Sequence, residues 1–269
     1  MIATKSRPWR KTPACNSSVE KSQMRHDTPD GRFYEITCSD GSVRRMPSVT
    51  TILNELNKPW LANWSCKLMA EYVRNNVPLD QPLTEATLDE ILTTGKRQHR
   101  IVLETAGAYG SGIHDAIQRR LETGKYPTQY RDDPATLPCL RAFEGWWKEQ
   151  RLTPLLVETV VWSERYGFAG TCDLIARHQD GTLFCGDWKT SNHMQPGYAI
   201  QACCYATAHE ERTGDRISTI AVVRIEKKTG GIEVLYVEPD EREMLLRTFL
   251  AIMDVWRWRT SYKCRTVKP

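Results

Sequence analysis

No apolar run in this 269-residue chain approaches the roughly 20 residues that a membrane-spanning helix needs. The first residues, MIATKSRPWRKTPACNSS, also lack the apolar block of a secretory signal. These absences predict a cytoplasmic chain with no membrane partner. Nine cysteines are present, but no CxxC pair is, and several of them fall inside apolar runs. Such scatter argues against a four-cysteine zinc or iron-sulfur cluster, and the odd count argues against a disulfide framework. No internal repeat or long low-complexity segment occurs. What is present is ordinary globular composition, 40% hydrophobic and 26% charged, which suits one large domain with appendages.

Charge is unevenly placed. Residues 1–26 carry six Lys/Arg against Glu20 alone, and residues 256–269 add five more unopposed, so a net charge of +4 conceals a middle of about −6. Basic ends of this kind suit either solvated tails or loose contact with a polyanion. The stretch WRWRTSYKCR, Trp256 to Arg265, tilts the choice towards the polyanion, because interleaved aromatic rings stack on bases while arginines hold phosphates.

Residues 1–26 are polar and unpatterned and read as an arm. A second segment, 27–151, opens on a hairpin around Ser39-Asp40-Gly41; Pro47 and Ser48 then lead into a short helix. From Trp60 onwards it is helical, since Trp60, Trp64, Leu68 and Tyr72 recur every four residues. Within it, GSGIHDAIQRRLETG predicts a helix capped by Ser111 and stopped by Gly124, with His114 and Gln118 beside an apolar stripe. A third segment, 152–269, predicts strands 155–163, 168–177 and 182–189, a helix 198–211, strands 217–226 and 231–237, and a last helix after Pro239. The fold class is therefore α/β, a mixed sheet flanked by helices with a helical region in front of it.

Two of the predicted core strands contain bare carboxylates, Asp173 and Asp187. The turn between them, HQDGT, fits two registers. A two-residue turn at Asp180-Gly181 sends the aspartates to opposite faces. A type I turn followed by a left-handed bulge at Gly181 sets His178 against Thr182 and Asp173 against Asp187. The bulged register is also expected to put Leu174 and Gly186 on one face and Cys172 and Trp188 on the other. Opposed carboxylates about 5 Å apart repel and call for a cation. Strand alternation brings Lys189 to the face of Asp187. Two carboxylates and a backbone carbonyl, that of Trp188, suit a hard divalent ion such as Mg²⁺ or Mn²⁺, and the lysine can then polarise a water.

Four segments in order, GSGIHDAIQ, VETVVWSERYGFAGTCDLIA, LFCGDWKTS and IQACCYATA, resemble the PD-(D/E)xK nuclease superfamily, in its branch of RecB-type domains, mitochondrial genome maintenance exonuclease and phage exonucleases. The likeness covers roughly residues 45–210. It implies a restriction-endonuclease-like core and an Mg²⁺-dependent deoxyribonuclease, an exonuclease acting on single-stranded DNA or DNA ends, with Mn²⁺ able to substitute. His114, Asp173 and Asp187 become metal ligands, Lys189 the catalytic lysine, and Glu158 a catalytic acid of the preceding strand. Gln201 and Tyr205 match the Gln-x-x-x-Tyr signature that contacts the strand, and Thr190 and Ser191 follow the lysine as phosphate contacts. The helical region becomes a wall over the strand, with GKRQHR, Gly95 to Arg100, touching phosphates. The resemblance also implies a setting in DNA recombination, repair or replication, with a protein partner from that machinery. Gln118 departs from the pattern, standing where many relatives carry an acid. An iron-sulfur branch of adaptation nucleases uses three late cysteines, whereas this chain offers only Cys264, so no cluster is implied. A structure-specific endonuclease or nickase on the same core, and a catalytically silent nucleic-acid-binding protein, are the other readings these motifs leave open.

Overall fold

The computed structural model describes residues 23–56 and 58–263. Most of the expected arm and the end of the basic tail, with Cys15 and Cys264, thus lie outside the described residues. Residues 23–26, grouped with that arm by composition, instead form the start of strand β1, Gln23–Thr28. β1 pairs antiparallel with β2, Gly31–Thr37, and β2 with β3, Val43–Pro47. The expected hairpin is β2–β3, turned at Gly41 in the left-handed region. Ser48 then caps α1, Val49–Leu53, by accepting a hydrogen bond from the Thr51 N–H at 2.9 Å.

The helical region comprises α2 (Trp60–Asn76), α3 (Glu85–Gly95), α4 (Gln98–Thr123), α5 (Thr128–Arg131) and α6 (Leu137–Gln150). One boundary differs from expectation. Ser111 is not an N-cap, because α4 runs unbroken through it for 26 residues before Gly124 stops it in the left-handed conformation. The flanking glycines serve close approach rather than a helix start. A β-carbon on Gly110 would sit 3.1 Å from the Thr190 hydroxyl, and one on Gly112 3.2 Å from the Tyr130 ring. They let α4 press against the end of a sheet strand and against α5.

The second sheet orders β4 (Thr153–Ser163), β5 (Phe168–Arg177), β6 (Leu183–Lys189), β7 (Ile217–Ile225) and β8 (Ile232–Tyr236) side by side. All neighbours are antiparallel except β6 and β7, which α7, Pro196–Thr213, joins by a crossover. The last helix is α8, Arg242–Lys263. This is the expected α/β layout of a mixed sheet flanked by helices. α7 and α8 cover one face through Ile200, Cys204, Phe249 and Met253, against Phe168, Ile175 and Val222. α4 and α6 cover the other through Ile113, Ile117, Phe143 and Trp146, against Leu174, Phe184 and Val223. The small sheet packs Tyr34, Ile36 and Met46 on Trp162 and Ala169.

The β5–β6 hairpin adopts the bulged register. Gly181 has φ +92°, its N–H donates to the His178 carbonyl at 3.0 Å, and the His178 N–H donates to the Thr182 carbonyl at 2.9 Å. Pairing runs from Arg177 with Leu183 to Leu174 with Gly186, so Asp173 and Asp187 take the next position. Cys172 packs in the layer opposite Leu174, as expected, although unbroken alternation along β5 would have put the two on one face. Trp188 does not join it; alternation along β6 is regular, and its ring lies with Leu174 and Phe184 against α6.

Candidate metal and catalytic centre

Two irregularities in the sheet create the site. The first is a change of face. In an unbroken strand Val157 and Val161 would share a side, yet Val161 packs under α7 and α8 while Val157 packs towards α4 and α6. The residue between them on this path, Glu158, has φ +47°, a left-handed conformation that a non-glycine residue rarely adopts. Across the ladder, Val157 pairs with Leu174 and Thr159 with Cys172, and Cys172 and Leu174 also face opposite layers. Both strands thus reverse at their acidic residue. Glu158 and Asp173 leave the apolar alternation there, which explains how carboxylates occupy a strand interior without displacing core side chains.

The second irregularity is a fork. β6 stays paired with β7 as far as Lys189 with Arg224, but its pairing with β5 ends at Gly186. Beyond that point the Trp188 N–H donates to Asp173 Oδ2 at 2.7 Å, a side chain standing in for the missing strand partner.

His114 reaches this fork from α4. Its Nδ1 lies 3.5 Å from Glu158 Oε1 and 3.6 Å from Asp173 Oδ2. Ligand atoms of these three residues all fall within 4.8 Å of one another, a convergence of one imidazole and two carboxylates of the kind that holds a divalent ion. Fully buried Asp187 is shared differently: Oδ2 pairs with the Lys189 ammonium, and Oδ1 accepts from Gln201 Nε2 at 3.1 Å.

The charges respond to these neighbours. Burial opposes protonation of His114, but the Asp173 charge and hydrogen bonds to Asp173 and Glu158 outweigh it, and its pKa is pushed up to about 10. Asp173 is held below the usual carboxylate range: burial acts upward, and the His114 and Lys189 charges and the Trp188 N–H outweigh it. Burial, helped by Asp173, pushes Asp187 up to about 6 against the pull of Lys189. Lys189 is itself raised, since the Asp187 and Asp173 charges overcome its burial. The cluster is thus two cations laced between carboxylates.

The remaining predicted residues divide between the neighbourhood of this centre and the helical region. Gln201 and Tyr205 are buried behind Asp187 rather than lining an open surface, and Gln201 Nε2 also lies 3.0 Å from the Tyr205 hydroxyl. Thr190 is buried against α4 at Gly110, and the Ser191 hydroxyl donates to the His193 carbonyl at 2.8 Å. The Trp188 side chain belongs to the core, so its contribution at the fork is its backbone. Gln118 donates to Glu122 at 2.9 Å, and Lys96, Arg97 and Arg100 are exposed at the corner between α3 and α4.

Two supporting residues were not foreseen. Tyr198 places its ring 5.2 Å from the Lys189 ammonium, a contact foreshadowed only by its position one turn before Gln201 on α7. Gly170 makes room for Tyr205: a β-carbon there would come within 2.4 Å of the Tyr205 ring.

No protein-family model and no curated protein matches this sequence. Among solved structures, a protein from Eubacterium rectale described as a candidate exonuclease aligns over 78% of this chain and 73% of its own, with a TM-score of 0.33 and 12% identity.

Proposed function

We propose that this chain is a metal-dependent deoxyribonuclease that hydrolyses phosphodiester bonds, working as an exonuclease on single-stranded DNA or DNA ends. The observation that carries the reading is the meeting of His114, Glu158 and Asp173 at the fork, with the Lys189–Asp187 pair beside them. One nitrogen and two carboxylate donors fit Mg²⁺ and, because imidazole is among them, Mn²⁺. The resemblance gave His114, Asp173 and Asp187 as ligands, and the strand-pair reading added the Trp188 carbonyl; the geometry favours Glu158 in the first set, with Asp187 turned to Lys189. When bound, such an ion supplies Lewis acidity and lowers the pKa of a water.

The protein's own groups do the rest. The Trp188 N–H fixes the Asp173 carboxylate, and the Gln201 amide holds Asp187 by one oxygen so that the other faces Lys189. Lys189, kept protonated by that neighbour and steadied over Tyr198, places its positive charge where negative charge grows on the phosphoryl oxygens. Gln201 and Tyr205 act in this reading as positioning residues.

Incubating linear single-stranded, linear duplex and covalently closed circular DNA with Mg²⁺ tests the exonuclease reading, with Asp187→Ala as control. Linear DNA is expected to be degraded and circles spared. Digestion of circles at the linear rate would replace it by an endonuclease.

A further inference from the structure

A second group of basic and aromatic side chains lies at the other end of β5. Gly167 begins that end, six residues from Asp173, which in a strand is about 20 Å. Over Gly167 two guanidinium groups converge: Nη2 of Arg44 and Nη2 of Arg257 lie 3.3 and 3.5 Å from where a β-carbon would stand. Both arginines are exposed and bonded chiefly to neutral groups, Arg44 to the Glu164 carbonyl and Arg257 to the Tyr166 carbonyl, each at 2.9 Å.

The nearby acids compensate that charge only in part: Asp40, which feels the Arg44 charge, is bonded to the Ser42 N–H and hydroxyl. The Glu164 carboxylate is taken by the Ser39 N–H and hydroxyl, and Glu35 faces His26 as well as its cross-strand neighbour Arg45. Asp254 approaches Arg257 only at 3.5 Å and is widely exposed. Aromatic faces adjoin the cations. Arg45 stacks on Phe33 at 4.2 Å and Phe33 meets Trp256, while the residue after Arg257 on α8, Trp258, forms an exposed pair with Tyr262, ring centroids 5.9 Å apart. Trp258 is 65% exposed and Tyr262 57%, an unusual surface use of large rings at the end of a helix.

We infer that this patch, Arg44 and Arg257 with the Trp258–Tyr262 pair, is a binding surface for single-stranded nucleic acid, separate from the metal centre. Arginines held chiefly by backbone carbonyls, with Asp254 the one exposed carboxylate in ion-pair range of Arg257 among the described residues, keep donors for phosphates, and exposed rings match unpaired bases; a duplex offers the charge but hides the base faces. The inference extends the nuclease reading by anchoring a strand at a distance from the cut, yet it concerns binding alone.

The test measures binding of a fluorescent 20-residue oligothymidylate to the full chain in EDTA, where no cleavage occurs. Arg44→Ala/Arg257→Ala is expected to weaken binding at least tenfold and to lower the salt slope by about 1.4, from about 0.7 for each lost phosphate contact. Arg44→Lys/Arg257→Lys should keep most of that slope. Trp258→Ala/Tyr262→Ala is expected to weaken binding about fivefold or more while leaving the slope in place. Unchanged affinity and slope in the alanine variants would overturn the proposal, as would duplex DNA binding as tightly as the single strand. Because Asp173→Asn is expected to bind like wild type, failure of cleavage with intact binding would count against the hydrolase alone.

Discussion

The backbone N–H of Trp188 donates to the carboxylate of Asp173 at 2.7 Å, one step beyond the last regular pair of β5 and β6. This bond lets the strands part without leaving a buried donor unsatisfied, and it aims Asp173 at His114. The opening that results holds every charged group of the proposed centre.

The Lys189–Asp187 pair is buried, so breaking it by removing one partner leaves a charge without a counter-charge. Lys189→Met is expected to cost about 3–5 kcal/mol of stability, and Asp187→Asn/Lys189→Met to recover most of that loss. Both variants should be inactive. Chemical denaturation checks the first statement; equal stability of single and double variants would contradict it.

Metal binding should depend steeply on pH. His114 must lose its proton to ligate, and its neighbours raise its pKa to about 10, so binding an ion displaces that proton. Between about pH 6 and pH 8, affinity for Mn²⁺ is expected to rise roughly tenfold per pH unit. Titration calorimetry in buffers of different ionisation enthalpy reads both the affinity and the proton release. A flat affinity without proton release would show that no protonated His114 is displaced by the ion.

Glu158 combines a functional carboxylate with an unfavourable backbone. Glu158→Gly should be more stable than Glu158→Ala by about 1 kcal/mol, because only glycine accepts positive φ without cost. Both should bind Mn²⁺ more weakly than wild type. Equal stability of the two variants would mean that the left-handed conformation does not persist in solution.

Gly170→Ala is expected to destabilise the protein by about 1–3 kcal/mol, since the new methyl group meets the Tyr205 ring. Adding Tyr205→Ala should make the alanine at 170 nearly cost-free. The coupling between the two sites, read from a double-mutant cycle, checks the contact; additive effects would refute it.

Much of this architecture was legible in the sequence. β5 follows its apolar run from Phe168 to Arg177, and the bulged turn followed from Asp180-Gly181 once the aspartates were required to meet. Other features left no local signal. Polar QMRH gives no hint of an edge strand, because β1 is held by backbone pairing with β2 rather than by apolar side chains. The glycines around Ser111 look like a helix start, yet they are contact points inside α4. The left-handed backbone of Glu158 is imposed by tertiary structure; unbroken strand alternation would have put its side chain on the face of Val160 and Trp162. Gln201 was visible as a polar residue on α7, but its burial behind Asp187 depends on how α7 seats against the sheet.

The most direct test is single-turnover cleavage of end-labelled linear single-stranded DNA in Mg²⁺, comparing wild type with Asp173→Asn. Asparagine can still accept the Trp188 N–H but removes the charge that faces His114 and the proposed ion. Wild type is expected to release nucleotides, to stop when EDTA is added, and to lose about a hundredfold or more of its rate in the variant without loss of folding. Wild type inert with both Mg²⁺ and Mn²⁺, or a variant as fast as wild type, would contradict the account.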